Sequence, residues 1–590
     1  MKILLTTLNA KYVHTSLALW YLYQYCRADA PGLVMREFNI NQELAWVGGE
    51  IYSEHPDIVA FSCNIWNIEA ILKLCRRLRQ VAPEIRFVLG GPEVSVGPVG
   101  LMTENPAIDW IIVGEGELTF REYLEQLARP NPEWREIAGL VYRDGAMVVE
   151  NRSRPQLSDL GCLPFPYPEE LTSLREKLVY YETSRGCPYH CQYCLSANEQ
   201  GVRFFPLETV RRDLLRFIEA QVAQVKLVDR SFNCNPQWAK TIWRFLLEHP
   251  GVTNFHFEIV GDLLDEEALT ILATAPAGLF QFEIGVQSTN PVTLELVGRK
   301  MDWPRLRARV TQLIRMSRVF VHLDLIAGLP GEDYTSFCHT FDETMAIRPH
   351  RLQLGFLKML SGSGLRKRAA EFGYQYTQES PYEVLSNRWI SYAELLQLKA
   401  VEKVLELFYN SGRFSYSFQY LLDRWTSAFA LFESLGVWWQ SQGYDGVSHK
   451  PKALYEYLLR FYREKRGGAP EVEVLRNLLK FDLLSRERLV ELPEWADPAC
   501  PELKRFSYEF WQDSVQRRRY FADQPEMTVR DLQRQTLMAH FALDPLAALT
   551  QSTQTLQWVE TIYLFLYRRS GVEFYKINRG DADGTNNCGN

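Results

Sequence analysis

Three cysteines stand close together in one short stretch, Tyr181 to Leu195, YETSRGCPYHCQYCL. They are Cys187, Cys191 and Cys194, spaced C-x3-C-x2-C. Thiolates this near in sequence can hold a metal centre on a single loop. A cubane iron–sulfur cluster is ordinarily held by four cysteines. Three cysteines leave one iron without a protein ligand, and an open position on a metal is where a substrate or cofactor binds. The competing chemistry is a structural zinc site completed by His190 or a distant residue. Zinc modules ordinarily pair two short hooks, and no second hook follows here.

The loop resembles the signature of the radical S-adenosylmethionine (SAM) enzymes. In that family the same spacing carries an aromatic residue just before the last cysteine, here Tyr193. The resemblance implies a 4Fe-4S cluster whose open iron is chelated by the amino and carboxylate groups of SAM. It implies reductive cleavage of SAM to a 5′-deoxyadenosyl radical, and an electron donor such as a flavodoxin or ferredoxin.

The elements that must position this loop read as a barrel from about Thr172 to Tyr376. Strand-like runs end at Ser184, Asp229, Ile259, Ser288, Gly328 and Leu360, with helices between them. Six such units suggest a partial (β/α)6 TIM-like barrel, whose chemistry gathers at the strand C-termini. EIGVQS, Glu283 to Ser288, resembles the family's fourth-strand motif, which implies that Glu283, Gln287 and Ser288 help hold SAM. Arg299 resembles an arginine that meets the SAM carboxylate, for which a guanidinium fork is suited; the alternative is a solvated helix arginine. HLDLIAGLPGE, His322 to Glu332, resembles the fifth-strand motif, with Gly328 and Gly331 letting backbone pass the adenine. Asp324 faces the ligand or is a core acid. Asp229 and Glu258 close strands two and three; carboxylates suit the SAM amine and ribose donors, or both are buried barrel acids. Tyr193 is expected near the adenine. LKMLSGSGL ends the sixth strand, with Ser-Gly-Ser where the family has Pro-Gly-Thr.

Before the barrel, Met1 to about Pro155 alternates short apolar runs with helical stretches. KILLTT, MREFNI, DIVAFSC, RFVLGG and DWIIVGEG read as strands, and Ser16 to Cys26 and Ile68 to Val81 as helices. Such alternation implies a doubly wound parallel sheet, which binds ligands at the carboxyl ends of its strands. The loops there are SCNIWN, GGPEVS and VGEGE, each by itself an ordinary βα turn. Placed before a radical SAM signature, they resemble the cobalamin-binding domain of the cobalamin-dependent class. The resemblance implies that Gly90, Gly91, Pro92, Gly114, Glu115 and Gly116 line the corrin and its tail. It places the loop bearing Ser62, Asn64 and Trp66 at the lower face. The D-x-H-x-x-G motif is absent, and the only histidines up to Pro155 are His14 and His55, so cobalamin is expected without a histidine on cobalt. A plain nucleotide-binding fold is the alternative, but G-x-G-x-x-G is missing after the first strand. Asn151 to Leu171, rich in proline and polar residues, reads as a linker.

From about Pro381 to Arg579 apolar residues fall at helical spacing. Ser427 to Ser441, Lys452 to Lys465, Val472 to Leu484 and Thr555 to Arg569 read as helices of an all-α domain. Its start, EVLSNRWISYAELLQLK, resembles a C-terminal domain of unknown function (DUF4080-like) found in one bacterial subgroup of these proteins. It is expected to cap the substrate cleft; a docking module for a protein partner is the alternative. Arg517, Arg518 and Arg519 read as a solvated helix face, and Gly580 to Asn590 as disordered.

The totals agree with an intracellular enzyme. The chain has 590 residues, a net charge of −7 and 11 cysteines. That charge gives no basic bias toward nucleic acid, although a local patch would suffice for tRNA. An odd, scattered set of cysteines is no disulfide framework and suits the cytoplasm. The N-terminus reads as a strand rather than a signal peptide, and no apolar run is long enough to span a membrane. The leading expectation is methyl transfer to an unactivated carbon of an unknown substrate, a small molecule or, less favoured, tRNA. The rival enzyme reading is a cobalamin-assisted reduction or rearrangement without methyl transfer. The non-enzyme reading is a cobalamin or redox sensor, which would have no need of the SAM-side motifs.

Overall fold

The N-terminal apolar runs pair into a seven-stranded sheet in the computed structural model, which describes residues 1–199, 201–489, 491–496, 501–521, 527–551, 555–568 and 571–577. The strands are β1 (Ile3–Asn9), β2 (Leu33–Asn39), β3 (Ile58–Ser62), β4 (Arg86–Gly90), β5 (Trp110–Ile112), β6 (Leu140–Asp144) and β7 (Met147–Glu150). Their order is β2-β1-β3-β4-β5-β6-β7. The first five are parallel, as expected; β6 and β7 add an antiparallel edge that the sequence reading did not anticipate. Alternate residues feed two cores. Leu4, Val59, Phe87 and Leu89 pack with Val47 and Ile51 of α1 (Leu44–Ser53) and with Ile71 and Leu74 of α2 (Ile68–Val81). Ile3, Leu5, Ala60 and Val88 face the other way. Burial on both faces is why these strands read as near-continuous apolar runs. The chain leaves β1 toward β2 on one side and returns to β3 on the other, so a crevice opens at the C-terminal ends of β1 and β3.

The second sheet has six parallel strands: β8 (Leu178–Tyr181), β11 (Gln224–Leu227), β12 (Asn254–Ile259), β13 (Phe280–Gln287), β14 (Phe320–Ala327) and β15 (Arg351–Phe356). They follow one another in chain order, the arrangement of an open barrel. A small antiparallel pair, β9 (Ser184–Gly186) with β10 (Val202–Phe204), stands at its entrance. The two sheets are joined directly: the backbone after β1 bonds to β8, Leu178 donating to the Val13 carbonyl at 2.8 Å. A hairpin of β16 (Gln375–Tyr376) and β17 (Val384–Ser386) follows, and the unit holding both sheets runs from Met1 to Leu395, past the expected barrel end at Tyr376.

The unit from Leu396 onward is mainly helical. Ala428–Ser441, Ala453–Arg466 and Ala469–Leu484 are helices, as expected. The stretch expected as a helix from Thr555 to Arg569 is instead strand β19 (Thr561–Arg568), paired between β18 (Thr536–Phe541) and β20 (Gly571–Ile577). Ile562, Leu564 and Leu566 enter one core and Tyr563 and Phe565 another. An apolar run buried on both faces has no period that separates strand from helix, and its β-branched and aromatic residues favour the strand. Arg518 and Arg519 lie exposed on a short helix, Ser514–Tyr520. Gly580 to Asn590 lies outside the described residues. Among the described residues no helix is long and apolar enough to cross a membrane.

Candidate functional site

The cysteine loop is the tip of the β9–β10 hairpin. Gly186, at φ +99°, lies so close to the Gly201 carbonyl that a side chain there would drive the two strands apart. The hairpin is held at its root by Asp229. Its carboxylate accepts from the Thr183 amide at 3.0 Å, the Thr183 hydroxyl at 2.7 Å and the Ser184 hydroxyl at 2.5 Å. Asp229, expected at the SAM amine and ribose, is here engaged at the root of the loop. On the far side the Gln192 amide donates to Val297 O at 2.8 Å, and its carbonyl accepts from Leu365 N at 2.7 Å.

Cys187 and Cys191 are buried and Cys194 half-buried. Burial pushes the Cys187 thiol up, so a metal is what would restore its thiolate. Among the described residues no three His, Cys, Asp or Glu side chains gather around a single ion. A cubane takes one thiolate per iron, and three cysteines on one loop are the donor set that such a cluster asks for.

Beside the loop, Arg299 is half-buried with Nη1 3.3 Å from the Tyr193 hydroxyl and 3.9 Å from Cys191 Sγ. Its Nη2 donates to the Gly285 carbonyl, and its Nε has no partner. Gln287 ends β13 in a left-handed conformation, φ +71°, and its Oε1 is buried without a partner. A strained non-glycine residue and two orphaned polar atoms at one strand end call for a ligand. An unpaired guanidinium N–H fits a carboxylate and an unpaired amide oxygen fits an amine, the two groups SAM offers. Gly328, at φ +91°, closes β14; its carbonyl accepts from Tyr374 and Asn387, both at 2.9 Å.

Three expected SAM residues are otherwise engaged. Ser288 is buried, donates to Glu332 Oε1 at 2.6 Å and accepts from the Asn290 amide at 3.0 Å. Glu258 and Glu283 are register neighbours, and Glu258 is the last residue but one of β12. Lys226 Nζ lies 3.4 Å from the first and 2.9 Å from the second. Burial works against ionising Glu283, but His256, 3.1 Å away, and Lys226 outweigh it and hold its carboxyl well below the usual range. Burial raises Glu258. Lys226 and His256 were missed, although the alternation of polar with apolar residues along β11 and β12 points both inward.

Glu332 yields a test of this wall. Burial, against hydrogen bonds from Ser288 and Thr340, pushes its carboxyl up to about 7. A folded-state value above the unfolded one stabilises fully below the unfolded pKa, and that stability is lost as pH rises through the folded value. Glu332→Gln, which cannot ionise, is therefore expected to flatten the fall in Tm between about pH 5 and 7.5, read by calorimetry of both proteins across that range.

At the C-terminal ends of the first sheet a cavity of about 630 Å³ opens. Ser62, Gly90, Gly91, Pro92, Gly114, Glu115 and Gly116 all line it, and Gly186, Leu195 and Arg230 line its barrel side. Asn64 and Trp66, expected at a corrin's lower face, do not. The Asn64 amide turns back to Asn67 Oδ1 at 2.7 Å, and Trp66 Nε1 donates to the Leu8 carbonyl at 3.1 Å. Gly91, at φ +107°, is required by the sheet itself: a Cβ there would fall 2.5 Å from the Cys63 carbonyl. Glu115 accepts from Arg203 at 2.6 and 3.1 Å and from the Leu157 amide at 2.8 Å. Among the described residues no histidine lines the cavity; His14 meets the Tyr180 hydroxyl at 3.2 Å, and His55 is exposed. A roomy, glycine-edged cavity at the strand ends fits a large planar cofactor.

Comparison with known proteins agrees with this anatomy. Family models match a B12 binding domain over residues 3–124, the radical SAM superfamily over 181–344, and a protein of unknown function, DUF4080, over 370–565. The match to the radical SAM superfamily thus falls on the barrel, with the match to the B12 binding domain before it and the match to DUF4080 after it. The chain is 28% identical over 308 residues to 2-(S-pantetheinyl)-carbapenam-3-carboxylate methyltransferase of Streptantibioticus cattleyicolor, covering 48% of this chain and 44% of that one. It is 28% identical over 242 residues to an anaerobic magnesium-protoporphyrin IX monomethyl ester cyclase of Synechocystis, covering 38% and 46%. The chain spans less than half the length of either relative. The solved cobalamin-dependent S-adenosylmethionine radical enzyme OxsB, with aqua-cobalamin bound, is similar at a TM-score of 0.56 and 13% identity, covering 89% of this chain and 84% of that one. At that identity the likeness shows a shared fold.

Proposed function

We propose that this chain is a cobalamin-dependent radical SAM methyltransferase acting on an unactivated carbon. The observation that carries the reading is the single cavity running from the strand ends of the first sheet to the flanks of the cysteine loop. Cofactors held on its two sides would face one shared space. When bound, the cluster with SAM supplies a hydrogen-abstracting radical and methylcobalamin supplies the methyl group. Cys187, Cys191 and Cys194 hold the cluster; Arg299 and Gln287 orient SAM, with Tyr193 and Gly328 beside it; Ser62, Gly90, Gly114 and Gly116 border the corrin. The corresponding domains are residues 1–155 and 172–376. The substrate is a small molecule, as the relative's named carbapenam is; a tRNA nucleoside is the alternative outcome of the test below. Electrons come from a flavodoxin- or ferredoxin-like donor in the cytoplasm.

Gly90 offers a clean probe. A Cβ there meets only Ile112, at 3.8 Å, so valine is accepted by the protein and intrudes on the cavity. Gly90→Val is expected to weaken corrin binding by about tenfold or more with Tm unchanged, measured by absorbance titration. The cob(II)alamin EPR signal of the wild type should carry no nitrogen splitting from a lower ligand. Full corrin occupancy in Gly90→Val, or a histidine nitrogen on cobalt, would count against this site.

The similarity to a cyclase favours a second reading, in which the same cofactors serve a reaction that adds no methyl group. Mass spectrometry of metabolites and RNA nucleosides from cells with and without the protein, fed methyl-deuterated methionine, separates the two. Label in the product supports methyl transfer; an unlabelled product supports the second reading.

A further inference from the structure

The wall between the cavity and the cysteine loop is built of buried charge. Arg185 lies on β9, just before Cys187. Its Nη2 is 2.6 Å from Glu117 and 2.8 Å from Glu182, and its Nη1 is 3.6 Å from Glu115. Glu115 in turn pairs with Arg203 of β10 at 2.6 Å. The Arg185 and Glu117 side chains are only 12% and 7% exposed. Glu115 and Glu117 belong to the Gly-Glu-Gly loop after β5 and the first turn of the helix Gly116–Leu127. Glu182 joins β8 to β9. The ion pairs thus tie the two strands that carry the cysteine loop to the loop that borders the cavity.

A guanidinium fork among three carboxylates fixes direction as well as distance, which a lysine would not. Buried pairs of this kind lose much when one partner is removed, because the other charge is left without compensation. Glu115 has a second property: it lines the cavity while holding Arg203. Whatever fills the cavity therefore presses on a group already bonded to the cysteine hairpin.

We propose that Arg185 is a positioning residue that ties the cysteine loop to the Gly114–Gly116 loop, so that occupation of the cavity is felt at the cysteines. The identity of the occupant rests on the functional reading above; the tie itself belongs to this chain.

Hydrogen–deuterium exchange on the full-length protein tests it, first without cofactors and then with hydroxocobalamin as the probe. Without cofactors, Arg185→Gln and Glu117→Gln should each speed exchange across residues 184–194 by about tenfold or more, and Arg185→Lys by less. With hydroxocobalamin, the wild type should gain protection both at residues 88–92 and across 184–194; Glu117→Gln should gain it only at 88–92. Wild-type exchange across 184–194 in the cofactor-free variants, or equal protection of that segment in Glu117→Gln, would overturn the tie. Should Arg185→Gln fail to fold, Glu117→Gln decides on the same readings, since it leaves the cysteine hairpin's sequence intact. A wild type that gains no protection anywhere from hydroxocobalamin refutes the functional reading, while the cofactor-free comparison still decides the tie.

Discussion

Alanine at Cys187, Cys191 or Cys194 is expected to cut reductive SAM cleavage by about a thousandfold or more, since each change removes an iron ligand and with it several kcal/mol of cluster stability. The three should behave alike. Cys191 sits 3.9 Å from Arg299 and Cys187 3.6 Å from Ser231, but on the proposed reading the thiolates alone bond to iron. Anaerobically reconstituted wild type should hold about four iron and four sulfide, and each alanine variant markedly less. Cys63, Cys234 and Cys338, none of them in a disulfide, should be replaceable without loss of iron. Quantifying 5′-deoxyadenosine after reduction reads the effect. Cleavage persisting in any one of the three variants would remove that cysteine from the site.

Asp229→Ala should lose nearly as much by a different route. The substitution leaves the Thr183 amide and two hydroxyls without their acceptor in a buried position. An unsatisfied buried donor costs about 1–3 kcal/mol, so the hairpin root is weakened by several kcal/mol. Iron content after reconstitution should fall well below half of wild type, with the parallel strands of the first sheet untouched. Asp229→Asn should be only partly better, because its amide N–H would oppose one of the donors. If Asp229 instead served SAM alone, iron would stay at wild-type level and only SAM affinity would drop. Iron measurement and SAM titration on the same sample distinguish the two.

Much of the fold was legible because its signals are local. Apolar runs such as Ile58–Ser62 mark strands buried on both faces, and helix Ile68–Val81 carries a clear apolar stripe. The cysteine loop was legible for the same reason: its candidate ligands are neighbours in sequence. Contacts between distant residues were not. Nothing near Arg185 announces Glu117, and nothing near Asp229 announces Thr183, because these pairings arise only when β8, β9 and the loop after β5 are brought together. Carboxylates misled in a consistent way. Asp229, Glu258 and Glu283 stand where a ligand-binding acid would stand, yet each is engaged by protein donors that sequence position alone does not reveal. Residues 561–568 misled because burial on both faces erases the period that tells strand from helix.

One assay tests directly whether this chain uses both cofactors. Protein loaded anaerobically with iron, sulfide and hydroxocobalamin is given SAM and a low-potential reductant, which takes the cobalt to the state that accepts a methyl group from SAM, and the nucleoside products are resolved by mass spectrometry. The expected products are 5′-deoxyadenosine that depends on Cys187, Cys191 and Cys194, together with S-adenosylhomocysteine that depends on the bound corrin and is lost in Gly90→Val. Stoichiometric zinc without iron–sulfur absorption, and neither product formed, would contradict the use of both cofactors.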